Sequence, residues 1–134
     1  MQMVDLSTWN IRFILILKMF RSEGKTIYWG GDTGWGNHFA TVRKYFGAPD
    51  IHLAGVGAYQ PEWFMHPSHL SPGDAAKARQ LLDSQMFIPM HYGTFDLSDE
   101  PIGDPVKVLN RLAQTDEFLQ NRMKIPAVGE VIEI

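Results

Sequence analysis

The segment "IYWGGDTGWGNHF", residues 27–39, changes from an apolar run to a glycine-rich loop and places one acid, Asp32, at the change. An apolar strand that ends in a carboxylate and a flexible turn is a common way to present a metal ligand or a catalytic acid. The same pattern also begins many ordinary surface loops. The other strand ends of the chain therefore decide which interpretation applies to Asp32.

Two further predicted strands end in the same manner. Tyr59 follows the apolar run "HLAGVGA", and His91 follows "FIPM". In α/β proteins, the loops at the carboxyl ends of the strands are where ligands bind. The sequence therefore predicts one cleft that Asp32, Tyr59 and His91 share.

The composition excludes several classes of function. The chain has 134 residues, enough for the single domain that we predict over residues 1–134. Its net charge of −3 gives no reason to expect a nucleic-acid partner. The absence of cysteine excludes disulfides, thiolate zinc sites and a thiol nucleophile.

Strands and helices alternate along the chain, which indicates an α/β layered domain. The polar segment "RSEGK" predicts a hairpin turn between a strand at 11–19 and the strand "TIYWGG". Ser71 and Asp104 are predicted to cap two helices, each with proline at its first position. The first of these two helices is expected to bury Ala75, Ala78, Leu81 and Leu82. The predicted helices span residues 37–47, 70–85 and 104–120, and the later predicted strands span 48–59, 86–93 and 130–134.

Residues 9–20 contain the most apolar run of the amino-terminal part, "FILIL". A membrane-spanning helix needs roughly 20 apolar residues, so this run does not predict a transmembrane segment. It also lacks the basic start and the small-residue cleavage site of a signal peptide. Cytoplasmic location is the default expectation, with peripheral membrane association left open.

The five histidines are expected to differ in role. His52 lies within an apolar strand and is predicted to belong to the core, whereas His38 opens a helix and is predicted to be solvated. His66 and His69 lie in the loop "QPEWFMHPSHLSP", which is too apolar for an ordinary connector. His91 ends a buried strand. A carboxylate and an imidazole suit zinc, manganese or iron, so the pair Asp32 and His91 predicts half of a metal site.

Three segments, taken together, resemble a known family: "YWGGDTGWGNHF", "PDIHLAGVGAYQPEWFMHPSHLSPGDAAKA" and "FIPMHYGTFDLSDEP". Their order and spacing are similar to those of the metallo-β-lactamase-fold hydrolases. The branch that they resemble is typified by N-acyl-phosphatidylethanolamine-hydrolysing phospholipase D and its bacterial relatives. The resemblance implies the carboxyl-terminal half of an αββα sandwich, with a mixed sheet flanked by helices.

The resemblance also implies roles for individual residues. Asp32 stands where the family has the carboxylate that bridges two metal ions, usually zinc, and it would also accept a proton from the attacking water. His91 stands at the last histidine ligand, and His69 resembles a histidine near the substrate phosphate, which makes it a catalytic and substrate-binding candidate. The entrance to the site would be lined by Tyr59, Trp63, Phe64 and Met65. The implied reaction is metal-assisted hydrolysis of a phosphodiester, such as a lipid or a small molecule, or of another ester or amide.

The chain also departs from the family pattern. It lacks the HxHxDH motif and the further histidine that precede the "GDTG" segment, and residues 1–24 are atypical. We therefore expect a truncated site that binds zinc weakly or not at all and has impaired activity. The alternatives are a non-catalytic remnant, or a lipid- or peptide-binding module that uses the Trp/Phe/Met loop. A half-sandwich would expose one face of its sheet, which predicts a homodimer that covers it.

Overall fold

The structure, a computed structural model, describes residues 2–5 and 18–133. They form one sheet with helices packed against it. The strands are β1 (Gln2–Asp5), β2 (Lys18–Ser22), β3 (Lys25–Trp29), β4 (Ile51–Gly55) and β5 (Met86–Met90). The helices are α1 (His38–Phe46), α2 (Glu62–Met65), α3 (Pro72–Leu82), α4 (Asp104–Leu112) and α5 (Glu117–Arg122).

The sheet is mixed, with strand order β1-β2-β3-β4-β5. β1, β2 and β3 pair in antiparallel fashion, and β2 and β3 form the predicted hairpin. β3, β4 and β5 are parallel, so their carboxyl ends lie at one edge of the sheet. This arrangement confirms the predicted α/β mixed sheet flanked by helices. Most of the strand predicted at 11–19 lies outside the described residues, and Lys18 and Met19 belong to β2.

One face of the sheet is covered by α1 and α3. Tyr28, His52 and Phe87 occupy neighbouring register positions on β3, β4 and β5 and are completely buried. Burial of the apolar Phe87 side chain contributes about 1.5–3 kcal/mol. The Tyr28 hydroxyl and both His52 ring nitrogens are buried without a hydrogen-bond partner among the described residues, which offsets part of the gain from burying their rings. The helices add Phe39, Val42, Ala75, Ala78 and Leu82 to the same core.

The opposite face is less covered among the described residues. Trp29, Leu53 and Ile88 form the adjacent row of that face and are only half-buried. Nothing in the structure shows a second copy on this face, so the predicted homodimer stays a prediction. No helix in the described part of the chain is long and apolar enough to cross a membrane.

The start of α3 agrees with the sequence prediction. The Ser71 hydroxyl accepts a hydrogen bond from the backbone N–H of Asp74 at 3.1 Å, and Pro72 occupies the first turn. The predicted buried stripe is wrong at one position, because Leu81 is 42% exposed, whereas Ala76 is buried. Ala75, Ala78 and Leu82 lie at i, i+3 and i+7 on one face of the helix, and Leu81 lies off that face.

The prediction of one helix over 104–120 is wrong, because two helices, α4 and α5, share this range. The Asp116 carboxylate accepts a hydrogen bond from the N–H of Leu119 at 3.0 Å and so starts a new helix. Asp104 does not cap α4. Gly103, with φ 84°, precedes the helix, and the Asp104 carboxylate accepts a hydrogen bond from the hydroxyl of Tyr59.

The strand predicted at the carboxyl terminus is also wrong, since residues 130–133 form no strand. The edge of β5 is already occupied by an earlier segment. Met123 forms an isolated parallel bridge with Phe87, and the N–H of Lys124 donates to the carbonyl of Phe87 at 2.9 Å. Among the described residues, those after Lys124 add no further strand to this edge.

Two histidines favour the neutral form: His52 in the core and the half-buried His38. His52 is buried among aromatic rings, as predicted, and neither ring nitrogen has a hydrogen-bond partner among the described residues. Burial, and then the charges of Arg79 and His38, lower the pKa of His52 to about 3. The prediction of a solvated His38 is wrong. Its ring packs on Phe39 with centroids 3.9 Å apart, and burial lowers the pKa of His38 to about 4.

These buried histidines predict that the fold loses stability in mild acid. At pH values between the folded-state pKa of about 3 and the ordinary pKa of 6.5, His52 binds a proton in the unfolded chain but not in the folded chain. The stability that the neutral His52 contributes is fully present above pH 6.5 and is lost as the pH falls below that value. His52 alone should reduce the free energy of unfolding by about 2 kcal/mol at pH 5. Urea unfolding between pH 7.5 and 5 measures this slope.

The matched variants are His52→Phe, which removes the buried proton acceptor, and His66→Gln, which removes an exposed histidine. His52→Phe should flatten the slope between pH 7.5 and 5 relative to both the wild type and His66→Gln. An unchanged slope in His52→Phe would show that other groups cause the acid sensitivity.

Candidate metal centre

Asp32 reaches the sheet edge because the chain turns sharply after β3. The N–H of Gly30 still donates to the carbonyl of Leu53 at 2.9 Å, as a continuation of the parallel pairing. Gly31 then adopts φ 58°, a conformation that glycine enters without steric cost. The Asp32 side chain is left 61% exposed beyond the carboxyl end of β3.

Gly34 explains why the loop after Asp32 is rich in glycine. A Cβ atom on Gly34 would lie 2.3 Å from the carbonyl of Pro67 and 2.4 Å from that of His66. The N–H of Trp35 donates to the carbonyl of His66 at 3.3 Å. This close approach places the Asp32 loop directly against the loop that carries His69.

His91 is held at the end of β5 by a similar contact. Its backbone is left-handed, with φ 58°, which is uncommon for a residue other than glycine. A Cβ atom on Gly57 would lie 2.2 Å from the carbonyl oxygen of His91. The loop after β4 therefore packs on the His91 backbone, and only glycine at position 57 allows this distance.

These loops bring three donor groups together. Asp32, His69 and His91 each offer a ligand atom, and the three atoms lie within 4.8 Å of one another. The Nε2 atom of His91 lies 2.8 Å from Oδ1 of Asp32, and the rings of His69 and His91 have centroids 5.6 Å apart. The Nδ1 atom of His69 is buried and has no hydrogen-bond partner in the described part of the chain.

The chemistry of this cluster fits a metal ion. Burial lowers the pKa of His69; the nearby charge of His91 also lowers it, while Asp32 and Glu100 oppose the shift. His69 therefore favours the neutral form that coordinates metals. Two imidazoles and one carboxylate are a ligand set that zinc, manganese and iron accept. The pair predicted from the sequence, Asp32 and His91, thus lies beside a third potential donor, His69, which the sequence predicted as a catalytic and substrate-binding residue and not as a metal ligand.

The predicted entrance residues lie in different surroundings. Tyr59 is buried, and its hydroxyl donates to Asp104, so it does not join the cluster of donors. Burial, followed by the hydrogen bond to Asp104, raises the pKa of Tyr59. Trp63 and Phe64 project from α2 and are 83% and 66% exposed, while Met65 is half-buried. Their predicted contact with substrate stays a prediction.

A cavity of about 400 Å³ opens beside His91. It runs from Gly57 and Ala58, at the end of β4, to Pro105 in α4. Its wall includes three exposed apolar side chains that are not among the site residues predicted from the sequence: Phe95, Leu97 and Ile102. The available signal was the occurrence of apolar residues in a segment, 94–102, that otherwise has the composition of a loop.

Comparison with known proteins gives consistent matches. Residues 15–92 match the family described as "Beta-lactamase superfamily domain". N-acyl-phosphatidylethanolamine-hydrolyzing phospholipase D 1 of Caenorhabditis elegans is 29% identical over 83% of this chain and 32% of its own length. A metal-dependent hydrolase of Listeria innocua is 32% identical over 87% of this chain and 43% of its own length.

The solved structures agree on the fold. The isothiocyanate hydrolase from Delia radicum gut bacteria superposes with a TM-score of 0.67 at 18% identity. The match covers 88% of this chain and 43% of that protein. The chain spans less than half the length of each of these similar proteins.

Proposed function

The chain belongs to the beta-lactamase superfamily, and from this premise we propose that it acts as a metal-dependent hydrolase. Membership confirms the family predicted from the "GDTG", "GAYQPEWFM" and "HYGTF" segments. The observation that carries the proposal is the convergence of Asp32, His69 and His91 within 4.8 Å. The three come from loops that the fold packs closely together.

In this proposal, Asp32, His69 and His91 hold one metal ion, of zinc, manganese or iron. When bound, the ion would polarise the scissile bond and lower the pKa of a water molecule. Asp32 would supply the anionic ligand and would accept the proton of the attacking water at a carboxylate oxygen. The contact of 2.8 Å between Oδ1 of Asp32 and Nε2 of His91 orients the imidazole ring before any ligand arrives.

The cavity beside His91 supports a substrate with an apolar substituent. Phe95, Leu97 and Ile102 line it and are each more than half exposed, so an apolar group could cover them. A lipid or small-molecule phosphodiester, or another ester or amide with an apolar part, meets this requirement. The scissile bond would lie at the His91 end, and the apolar part would extend towards α4.

The test is hydrolysis of bis(p-nitrophenyl) phosphate by chelator-treated protein to which zinc, manganese or iron is returned. We expect turnover to require the metal and to fall at least about tenfold in Asp32→Asn, which removes the anionic ligand. Glu117→Gln, which removes an exposed carboxylate on α5, is the matched control and should retain full turnover. Turnover that is absent with metal bound, or equal in Asp32→Asn and the control, would refute the proposal.

The exposed pair Trp63 and Phe64 favours a second candidate, a binding module for a lipid-like or peptide partner. Their rings contact each other with centroids 5.7 Å apart and are mostly open to solvent. Such a module should bind phosphatidylcholine vesicles or peptide equally well in Asp32→Asn and lose this binding in Trp63→Ala. Binding without turnover would select this candidate over the hydrolase.

A further inference from the structure

One carboxylate in the described chain accepts hydrogen bonds from three consecutive backbone groups. Oε1 of Glu100 accepts from the N–H of Ala58 at 2.6 Å and from that of Tyr59 at 3.3 Å. Oε2 accepts from the N–H of Gln60 at 2.9 Å. The donors lie just after β4, about 40 residues before Glu100 in the sequence.

Successive N–H groups that point to one side of the backbone form a concave anion-binding site, and Glu100 fills it. Hydrogen bonds to an ionised acceptor are stronger than neutral ones. Burial opposes the ionisation of Glu100, but the hydrogen bonds that it accepts, first from the Ser98 side chain and then from backbone N–H groups that include those of Gln60 and Tyr59, outweigh burial and lower its pKa. Ala58 has φ 58°, which is uncommon without glycine, so this loop needs an external tie.

The segment that Glu100 holds forms most of the cavity wall. Residues 94–102 contain no helix or strand, and their apolar side chains are largely exposed. Packing therefore contributes little to the position of this segment. Among the described residues, two more hydrogen bonds join the loop after β4 to this part of the chain. The N–H of Asp99 donates to the carbonyl of Gln60 at 3.3 Å, and the hydroxyl of Tyr59 donates to Asp104 at the start of α4.

We propose that Glu100 is a positioning residue. Its carboxylate holds residues 94–102 against the loop after β4 by hydrogen bonds and so maintains the shape of the cavity beside His91. Ala58, Glu100 and His91 all line this cavity. The hydrogen bonds of Glu100 therefore connect the cavity wall formed by residues 94–102 to the wall formed by the loop after β4. The proposal concerns the shape of the cavity and does not need a metal. Its consequence for catalysis, a higher KM for apolar substrates, rests on the proposed hydrolase function.

The test compares Glu100→Gln and Glu100→Ala with Asp99→Asn. The control removes the same charge from the adjacent residue, whose carboxylate makes no hydrogen bond within the described residues. Hydrogen exchange should accelerate at least about tenfold at the amides of residues 58–60 in both Glu100 variants. Exchange within β4 should stay unchanged, which separates a local opening from global unfolding.

Binding of the uncharged apolar dye Nile red reports the cavity itself. Both Glu100 variants should bind it at least about tenfold more weakly, whereas Asp99→Asn should bind it as the wild type does. Equal dye affinity and equal exchange in Glu100→Gln and Asp99→Asn would overturn the proposal. Measurement of zinc affinity distinguishes a failure of the proposed hydrolase function from a failure of the proposed role of Glu100. Chelator-treated protein that never binds zinc refutes the hydrolase, while the dye and exchange results still decide the role of Glu100.

Discussion

Replacement of Asp32 by asparagine is expected to weaken zinc binding by more than about a hundredfold, because loss of an outer hydrogen-bond partner alone costs up to that much. The substitution removes the one anionic donor of the cluster and leaves two imidazoles within reach of the ion. It also replaces the acceptor that lies 2.8 Å from Nε2 of His91. Isothermal titration of the chelator-treated protein with zinc measures both the affinity and the stoichiometry. The two donors predicted from the sequence lead us to expect weak binding or none, whereas a third donor, His69, leads us to expect one ion per chain.

A pair of histidine variants tests the ligand set further. His69→Gln should weaken zinc binding strongly, because the glutamine side chain replaces an imidazole of the cluster. His66→Gln is the matched control, since His66 lies in the same loop but is exposed and pairs with Asp74 at 3.3 Å. Unchanged zinc affinity in His69→Gln with reduced hydrolysis would instead assign His69 to the substrate, as the family resemblance implies. Unchanged affinity in Asp32→Asn would exclude this cluster as the metal centre.

Replacement of Gly57 by alanine is expected to destabilise the fold by about 2–3 kcal/mol, the upper part of the range for an overpacked site. The added Cβ atom would lie 2.2 Å from the backbone oxygen of His91, and a backbone atom cannot move aside as a flexible side chain can. The strand ends of β4 and β5 must then separate. Because His91 moves with its backbone, zinc affinity should fall together with stability, although no ligand has been changed.

The control for this prediction is Gly73→Ala. A Cβ atom at position 73 would lie 3.9 Å from the Ser71 hydroxyl oxygen, an ordinary contact, and the site is in the first turn of α3. Alanine favours a helix over glycine, so this variant should be as stable as the wild type or slightly more stable. Urea unfolding and zinc titration of both variants measure the two effects. Wild-type stability and affinity in Gly57→Ala would show that the contact with His91 relaxes without consequence.

The sequence predicted the elements whose signals are local. The hairpin between β2 and β3 follows from the turn at Gly24, and the start of α3 follows from Ser71 and Pro72. Such signals act between residues a few positions apart, so no knowledge of the fold is needed to interpret them. The division of residues 104–120 between two helices, α4 and α5, could not be predicted from the sequence. Asp116 can either continue a helix or cap a new one, and packing decides between these outcomes.

The candidate site was only partly predictable for a related reason. Asp32 and His91 were identifiable because each ends an apolar strand, and the parallel pairing of β3, β4 and β5 brings those ends to one edge. The third donor, His69, lies in an irregular loop with no such rule. Its place in the cluster depends on the contact of Gly34 with Pro67, which no sequence period indicates.

The sequence by itself thus predicted the α/β class and the two strand-end groups, Asp32 and His91, because strand periodicity and turn chemistry are properties of short segments. The family followed from the resemblance of three segments to known proteins. The tertiary structure alone decided that His69 joins Asp32 and His91, that Gly57 supports the His91 backbone, and that Glu100 ties the cavity wall to β4. These are contacts between residues far apart in the chain, and their distances are set by how the loops pack, to within a few tenths of an ångström.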